Sequence, residues 1–309
     1  MNKRRLILII NPNSGLGDGQ RLGRELIEYL DGNGIAYEVY FTTKHRNAKA
    51  IATDLTKTLK EDISLISLGG DGTLNEVING LYNHAKINLT VIPVGSGNDF
   101  VRSFKHPKTP IEMLKCSLNP RKFVDYNIGE IHSKGKKRKF IVTAGSGYDG
   151  SLALNVNNPS LRRRFKGSSL KGFMYIYSGV KALVDYRPVK GKITVDGVDR
   201  SFENIYFATV MNTPYAGKGF NIAPMAKGDD GVMEFCLVHS KSKGQMLPIL
   251  LKGLAFGLKK GRNISYYRGR NFSFSLSAPV ICHTDGEYFG EISNADIRVL
   301  EERVRVVVE

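Results

Sequence analysis

Cysteine is scarce in this chain. Cys116, Cys236 and Cys282 lie far apart in 309 residues and form no C-x-x-C pair. That spacing excludes a disulfide framework and a zinc ribbon, and it fits a reducing compartment. The six histidines are equally scattered and make no H-E-x-x-H, so the helical zinc motif of a metalloprotease is missing as well. No window approaches the ~18 consecutive apolar residues of a membrane span. The longest candidate, Met246 to Leu258, is interrupted by Pro248, Lys252 and two glycines. The apolar run Leu6–Ile10 meets Asn11-Pro12 after five residues; it is too short for the core of a secretion signal and reads as a buried first strand. The Walker A pattern G-x-x-x-x-G-K-[ST] is absent, which excludes a standard P-loop enzyme. There is no low-complexity linker and no internal repeat. Acidic residues are the minority, 29 against 45 basic, for a net charge of +16. Such a chain is drawn to nucleic acid, anionic membrane or phosphorylated ligands, or simply carries a solvated basic surface.

What is present is glycine, at 33 positions, and a 41% hydrophobic fraction, enough for a sizeable core and many tight turns. The length suits two ordinary domains or one large one. The most informative stretch is Ile63 to Glu76: a short buried strand, the turn Gly69-Gly70-Asp71-Gly72, and then a helix. Glycines let the backbone approach a ligand closely, and the following helix start is a natural seat for phosphate. Asp71 would be repelled by phosphate unless a divalent cation lay between them or unless it took a proton from an attacking group. The stretch points to nucleotide binding or phosphoryl transfer.

The first third alternates strand and helix: strands at Leu6–Asn11, Tyr37–Thr42, Ser64–Leu68 and Leu89–Pro93, helices at Gly17–Tyr29, Ala48–Leu59 and Leu74–Tyr82. Alternation of this kind predicts βαβ units and a parallel sheet, with ligands beyond the carboxyl ends of the strands. Three of those ends carry loops rich in Gly, Asn and Asp: Asn11–Gly19, Gly69–Gly72 and Gly95–Asp99. Their convergence on one sheet edge weighs more than any single motif. After Arg121 short strands dominate, at Lys122–Ile131, Lys139–Ala144, Lys192–Val195, Asn204–Asn212, Val232–Val238, Ile264–Leu276 and Val280–Thr284, with helices at Ser151–Val156, Leu170–Val184 and Gln245–Leu258. The prediction is an α/β nucleotide-binding domain with a Rossmann-like parallel sheet over residues 1–122, then a mainly antiparallel, β-rich second domain over 123–295. The tail 296–309 packs back on the first domain, and a cleft lies between the two. The run Lys134–Lys139 reads as a solvated hairpin tip.

Other motifs have plainer readings. Gly145-x-Gly147-x-x-Gly150 matches the dinucleotide fingerprint literally, but positions 162–172 offer basic residues where that fingerprint needs an acid about 20 residues on; it is a tight strand-to-helix turn. Asn98-Asp99 caps a helix or joins a site. Thr284-Asp285-Gly286-Glu287 is a hairpin turn by composition, yet transfer to a hydroxyl needs a base, and a second-domain carboxylate could supply it. Asp229-Asp230 in a glycine turn offers oxygen ligands for Mg²⁺ or Ca²⁺, or is a plain solvated turn. Arg162–Arg164, Phe165 and Lys166, followed by Phe173, Tyr175 and Tyr177, would meet nucleic acid or an anionic membrane, or form a solvated helix end.

Together the motifs resemble the diacylglycerol kinase catalytic family, which includes soluble bacterial lipid kinases related to sphingosine kinases. The resemblance keeps its order along the chain, from Asn11–Gly15 through Gly69–Thr73, Pro93–Phe100, Ala216–Pro224 and Asp230-Gly231 to Asp285–Glu287. Gly-Gly-Asp-Gly-Thr also occurs in NAD kinases and 6-phosphofructokinases; Gly-x-x-Asn-Asp-Phe and the late Asp-Gly-Glu are what point to lipid kinases. Two departures are the serine at position 96, where the family has threonine, and Arg46-Asn47-Ala48 in place of Gly-His-Ala, which leaves Thr42 open against Thr43. The resemblance implies a nucleotide-binding domain of the NAD kinase-like kind. In it Asn11, Pro12, Asn13, Ser14, Gly15, Thr42, Gly69, Gly70, Asp71, Gly72, Thr73, Leu74, Asn75, Ser96, Asn98 and Asp99 hold ATP. Asp71, Asp99 and Asp125 organise Mg²⁺, and a structural Mg²⁺ sits on Asp230 with backbone oxygens of Lys227 and Val232. Glu287, with Asp285 beside it as the alternative, is the base toward a lipid hydroxyl. The implied activity is an ATP-dependent lipid kinase acting on diacylglycerol at the inner face of the membrane, cytoplasmic and peripheral, with no stable nucleic-acid partner and a homodimer left open. The alternatives are another lipid alcohol (a sphingoid base, phosphatidylglycerol), an NAD kinase-like enzyme, a basic nucleic-acid binder, and a catalytically silent lipid-binding regulator.

Overall fold

The structure, a computed structural model, describes residues 4–95, 97–157, 171–240 and 242–309. Ser96 and the basic run 162–166 lie outside the described residues, as do the side chains of Phe173 and Tyr175. The chain divides into two compact units, Met1–Ile128 with Leu300–Glu309, and Gly129–Val299.

The first unit is an α/β layer structure. Its elements are β1 (Arg5–Ile10), α1 (Asp18–Gly32), β2 (Glu38–Phe41), α2 (Ala48–Thr56), β3 (Ile63–Gly69), α3 (Asp71–Gly80), β4 (Ile87–Pro93) and α4 (Pro110–Leu118). The strands run parallel in the order β2-β1-β3-β4. Every residue of β3 is buried, as are Leu6–Ile10 of β1. Helices on both faces demand such continuous apolar strands. The chain's last strand adds a further parallel member beside β4, with Arg305 opposite Asn88 and Val306 opposite Leu89. After β4 the chain is pinned by aromatic packing: Phe100 is fully buried and meets Phe104 and Tyr126 edge-on, at 5.4 and 4.9 Å between ring centroids. That anchor holds Asp99, its neighbour, in place.

The second unit is antiparallel and β-rich, as the sequence predicts. It holds β5 (Phe123–Ser133, which begins in the first unit), β6 (Lys136–Phe140), β7 (Thr143–Gly147), α5 (Tyr148–Asn157), α6 (Lys171–Asp185), β8 (Val189–Val195), β9 (Val198–Met211), β10 (Tyr215–Ala216), β11 (Phe220–Asn221), β12 (Met233–His239), α7 (Lys243–Phe256), β13 (Ile264–Gly269), β14 (Asn271–Thr284) and β15 (Glu287–Val307, which ends in the first unit). The long strands β9 and β14 each pair with β8 over one half and with β7 over the other. No helix among the described residues is long and apolar enough to cross a membrane.

Two predicted strands are each split in the structure, for the same reason. The run 139–144 breaks at Ile141-Val142 because the carboxylate of Asp285 accepts their N–H groups and that of Thr143, at 3.0, 2.9 and 2.9 Å. The run 264–276 breaks at Arg270 because Asp196 accepts the N–H groups of Arg270 and Asn271, at 3.0 and 2.8 Å. A carboxylate distant in sequence competes with the ladder for consecutive amides, which strand propensity does not register. The predicted hairpin tip 134–139 is narrower: Lys134 and Gly135 make the turn, at φ 48° and 74°, and β6 starts at Lys136.

Candidate active site

In the first unit the loops at the strand ends are stitched into one surface. The N–H of Asn11 donates to Leu68 O (2.9 Å), that of Thr42 to Ile10 O (2.9 Å) and that of Val94 to Gly69 O (2.9 Å). The Asn11 side chain ties two loops together: its Nδ2 donates to Thr73 Oγ1 (2.9 Å), and its Oδ1 accepts from Asn13 N–H (3.1 Å). A Cβ on Gly69 would lie 2.5 Å from Thr73 Oγ1, and one on Gly15 would lie 2.9 Å from Val94 Cγ1. Only glycine allows these loops to approach so closely. Gly70 caps α3 in an extended conformation with no side chain closing the helix start, so the positive end of the helix dipole faces these loops.

Asp71 opens α3 and is partly buried. Its carboxylate accepts the N–H of Asp99 (3.1 Å) and of Phe100 (3.3 Å), which places Asp99, itself buried, beside it. Burial pushes the Asp71 carboxyl above the usual carboxylate range, and those backbone donors only partly oppose it. Asn98 holds the turn in the left-handed region (φ 54°) and donates Nδ2 to Gly95 O, 3.0 Å. Thr43 Oγ1 is engaged by the N–H groups of His45 and Arg46, whereas Thr42 continues β2 in line with β1. The Leu74 side chain is buried in the core, so only its main chain is available to a ligand.

In each of the two proposed metal groups one carboxylate is paired with an arginine. Among the described residues no three of His, Cys, Asp and Glu converge to hold a metal ion. Asp125 is paired instead with Arg305 at 2.9 Å, both partners exposed. Such a pair contributes only about 0–1 kcal/mol, so a divalent ion recruiting Asp125 would displace Arg305 at little cost. In the second unit Asp230 forms an ion pair with Arg268, which also reaches the buried Glu234 at 3.0 Å. A cation at the Lys227–Val232 turn would therefore compete with Arg268. Burial raises the Glu234 carboxyl despite that guanidinium.

At the other end of the second unit, Asp285 is buried at the β14–β15 turn in the left-handed region (φ 49°), its carboxylate committed to the three amides 141–143. Glu287 is exposed. The sequence reading missed the neighbours of this turn. His283 is buried and faces Asp149 through Nε2 at 3.0 Å, and its Nδ1 accepts the N–H of Gly286 at 3.1 Å. Thr209 Oγ1 donates to the same Asp149 oxygen at 3.0 Å. The glycine motif at 145–150 was the available signal: its strand-to-helix turn is the one that delivers Asp149.

Residues 5–130 match the model of the diacylglycerol kinase catalytic domain, and residues 142–308 match that of the YegS C-terminal NAD kinase beta sandwich-like domain. The chain belongs to the diacylglycerol kinase catalytic family. Among relatives in this family, YtlR of Bacillus subtilis, named for an inferred lipid kinase activity, is 27% identical over 91% of this chain and 93% of its own. The diacylglycerol kinase of Staphylococcus carnosus is 27% identical over 98% of this chain and 95% of its own. A Bacillus anthracis structure, solved under an inferred diacylglycerol kinase assignment, superposes with a TM-score of 0.78 at 21% identity, covering 100% of this chain and 99% of the other. The fold extends beyond the family: an Archaeoglobus fulgidus NAD kinase in complex with ATP gives a TM-score of 0.53 at 13% identity, over 98% and 93% of the two chains.

Proposed function

We propose that the protein transfers the γ-phosphoryl group of ATP to a hydroxyl of a membrane lipid, diacylglycerol being the acceptor favoured by the relatives' names. The observation that supports it most is the stitched surface of Asn11, Gly69, Gly70, Thr73 and Val94 beside the half-buried Asp71 and the buried Asp99. Glycine turns and a helix start bind phosphate. Asp71 and Asp99 suit a small divalent ion, because Mg²⁺ is held by one or two carboxylates together with phosphate oxygens and water. When bound there it neutralises phosphate charge. Glu287 accepts the proton of the lipid hydroxyl as that oxygen bonds to the γ-phosphorus and the bond from the γ-phosphorus to the bridging oxygen breaks, releasing ADP. Asp285 shapes the turn that carries Glu287. The net charge of +16 favours peripheral contact with an anionic leaflet, at about 1 kcal/mol per basic residue near the surface.

The test supplies the purified protein with ATP, Mg²⁺ and mixed micelles of diacylglycerol, sphingosine or phosphatidylglycerol, with NAD as a soluble acceptor. Phosphatidic acid is the expected product. No phosphorylated product from any lipid alcohol would overturn the proposal, and turnover of NAD alone would move the protein to the NAD kinase reading. A narrower expectation concerns Asn11. Because its amide joins two loops, Asn11→Ala should raise KM for ATP about tenfold, the equivalent of one hydrogen bond of about 1.4 kcal/mol, with kcat within about twofold. An unchanged KM would remove Asn11 from the nucleotide surface.

A further inference from the structure

We propose that Asp149 and His283 form a positioning pair that holds the β14–β15 turn, and through it Glu287, in the geometry for turnover. This inference rests on the reading of Glu287 as the base. Gly286 N–H donates to His283 Nδ1 at 3.1 Å, and an N–H can donate only to an unprotonated ring nitrogen. The ring proton is therefore on Nε2, directed at Asp149 Oδ2 at 3.0 Å. Thr209 Oγ1 donates to the same oxygen at 3.0 Å, fixing the carboxylate from its other side. His283 is buried at 4% exposure and Asp149, in the first turn of α5, is 18% exposed; the pair acts on Glu287 through the turn.

The packing around the pair is specific. A Cβ on Gly145 would lie 2.1 Å from Asp149 Oδ2 and 2.5 Å from His283 Nε2, and one on Gly150 would lie 2.1 Å from Ile281 O. Two glycines of the 145–150 motif thus make room for the contact between α5 and β14. The turn is gripped twice: Asp285 by the amides 141–143, and Gly286 by His283.

The grip depends on protonation. The charged groups acting on His283 are Asp149 from α5, Asp285 from the turn and Glu287 from β15. Burial opposes a charge on the ring, but these carboxylates outweigh it and raise the His283 pKa above its ordinary value. A second proton can enter only at Nδ1, where it takes the lone pair that Gly286 N–H uses. Acid therefore releases the Gly286 contact, in a window above the ordinary histidine value of about 6.5.

The experiment has two readouts. In the ring-proton NMR titration of the full chain, the His283 signal, assigned by its loss in His283→Asn, should titrate above about 6.5, with the Gly286 amide moving at the same midpoint. A Gly286 amide that ignores the titration overturns the proposal whether or not a lipid substrate is found. In the kinase assay, kcat should fall in acid with that midpoint. Asn keeps an acceptor near the Nδ1 position but cannot take a second proton, so His283→Asn should lose the acid limb, and Asp149→Asn should move it to lower pH. His283→Ala, with neither function, should lose about tenfold or more in kcat with KM for ATP unchanged. An acid limb identical in wild type and His283→Asn overturns the proposal. Glu287→Gln is run alongside: if it turns over like wild type, the base assignment falls; if it is dead while the limb persists in His283→Asn, only the positioning pair falls.

Discussion

Asp71→Asn is expected to lower kcat by about a thousandfold or more without lowering the melting temperature. The two halves of this result have separate origins. On the proposed reading, the loss of rate follows from removing anionic oxygens that would hold a divalent ion against the phosphates, a role on which phosphoryl transfer depends heavily because its catalysis is almost wholly positioning and charge stabilisation. The retained stability follows from burial. The Asp71 carboxyl is pushed upward because its charge is poorly solvated, so the ionised group costs the folded state free energy. Asparagine removes that cost. It keeps one acceptor for the N–H groups of Asp99 and Phe100 and gives up the other, a loss of about 1 kcal/mol. Removing an unfavourable buried charge offsets a loss of that size. Paired kinetics and thermal melts check it. A variant that is both dead and unfolded would make Asp71 a structural residue, and one with wild-type turnover would remove it from the site.

Glu287→Gln and Asp285→Asn are expected to separate chemistry from architecture in a turn where both carboxylates look equivalent on paper. Glu287 is exposed, so the glutamine variant should melt like wild type while kcat falls by about a hundredfold to ten-thousandfold, the span assigned to a lost general base. Asp285 is buried with three amides on its oxygens. Asparagine tolerates its left-handed backbone (φ 49°), so the substitution isolates the loss of the carboxylate. It leaves at least one of those N–H groups facing a donor, at about 1–3 kcal/mol, and lowers the melting temperature by several degrees at about 2–4 °C per kcal/mol for a unit of this size. Asp285→Asn with a normal melt and no turnover, beside an active Glu287→Gln, would reverse the two roles.

Much of the local structure of the candidate site was legible because local signals agreed. Ile63 to Glu76 carries its own strand, turn and helix start, and β1 and β3 are apolar enough to require cover on both faces. Glycine at 69 and 70 and asparagine at 11 and 98 are the residue types that tight loops beyond parallel strands need. What stayed hidden depends on contacts over long separations. His283 looked like one scattered histidine, and its partner Asp149 lies 134 positions away. Arg305 and Arg268 pair with carboxylates, Asp125 and Asp230, to which the family resemblance gave metal roles.

By itself, then, the sequence determined the alternation of parallel strands and helices in the first unit, the antiparallel second unit, and the glycine- and asparagine-rich loops at Asn11, Gly69 and Gly95. Each is written in residues within a few positions of one another, where periodicity and backbone freedom are decisive. The tertiary structure alone decided which carboxylates are already engaged. Asp285 differs from Glu287 by two positions in sequence, yet one spends its oxygens on amides some 140 residues away and the other stands exposed. The physical reason is that a carboxylate's role depends on the donors that reach it, and those donors are set by packing rather than by sequence neighbourhood.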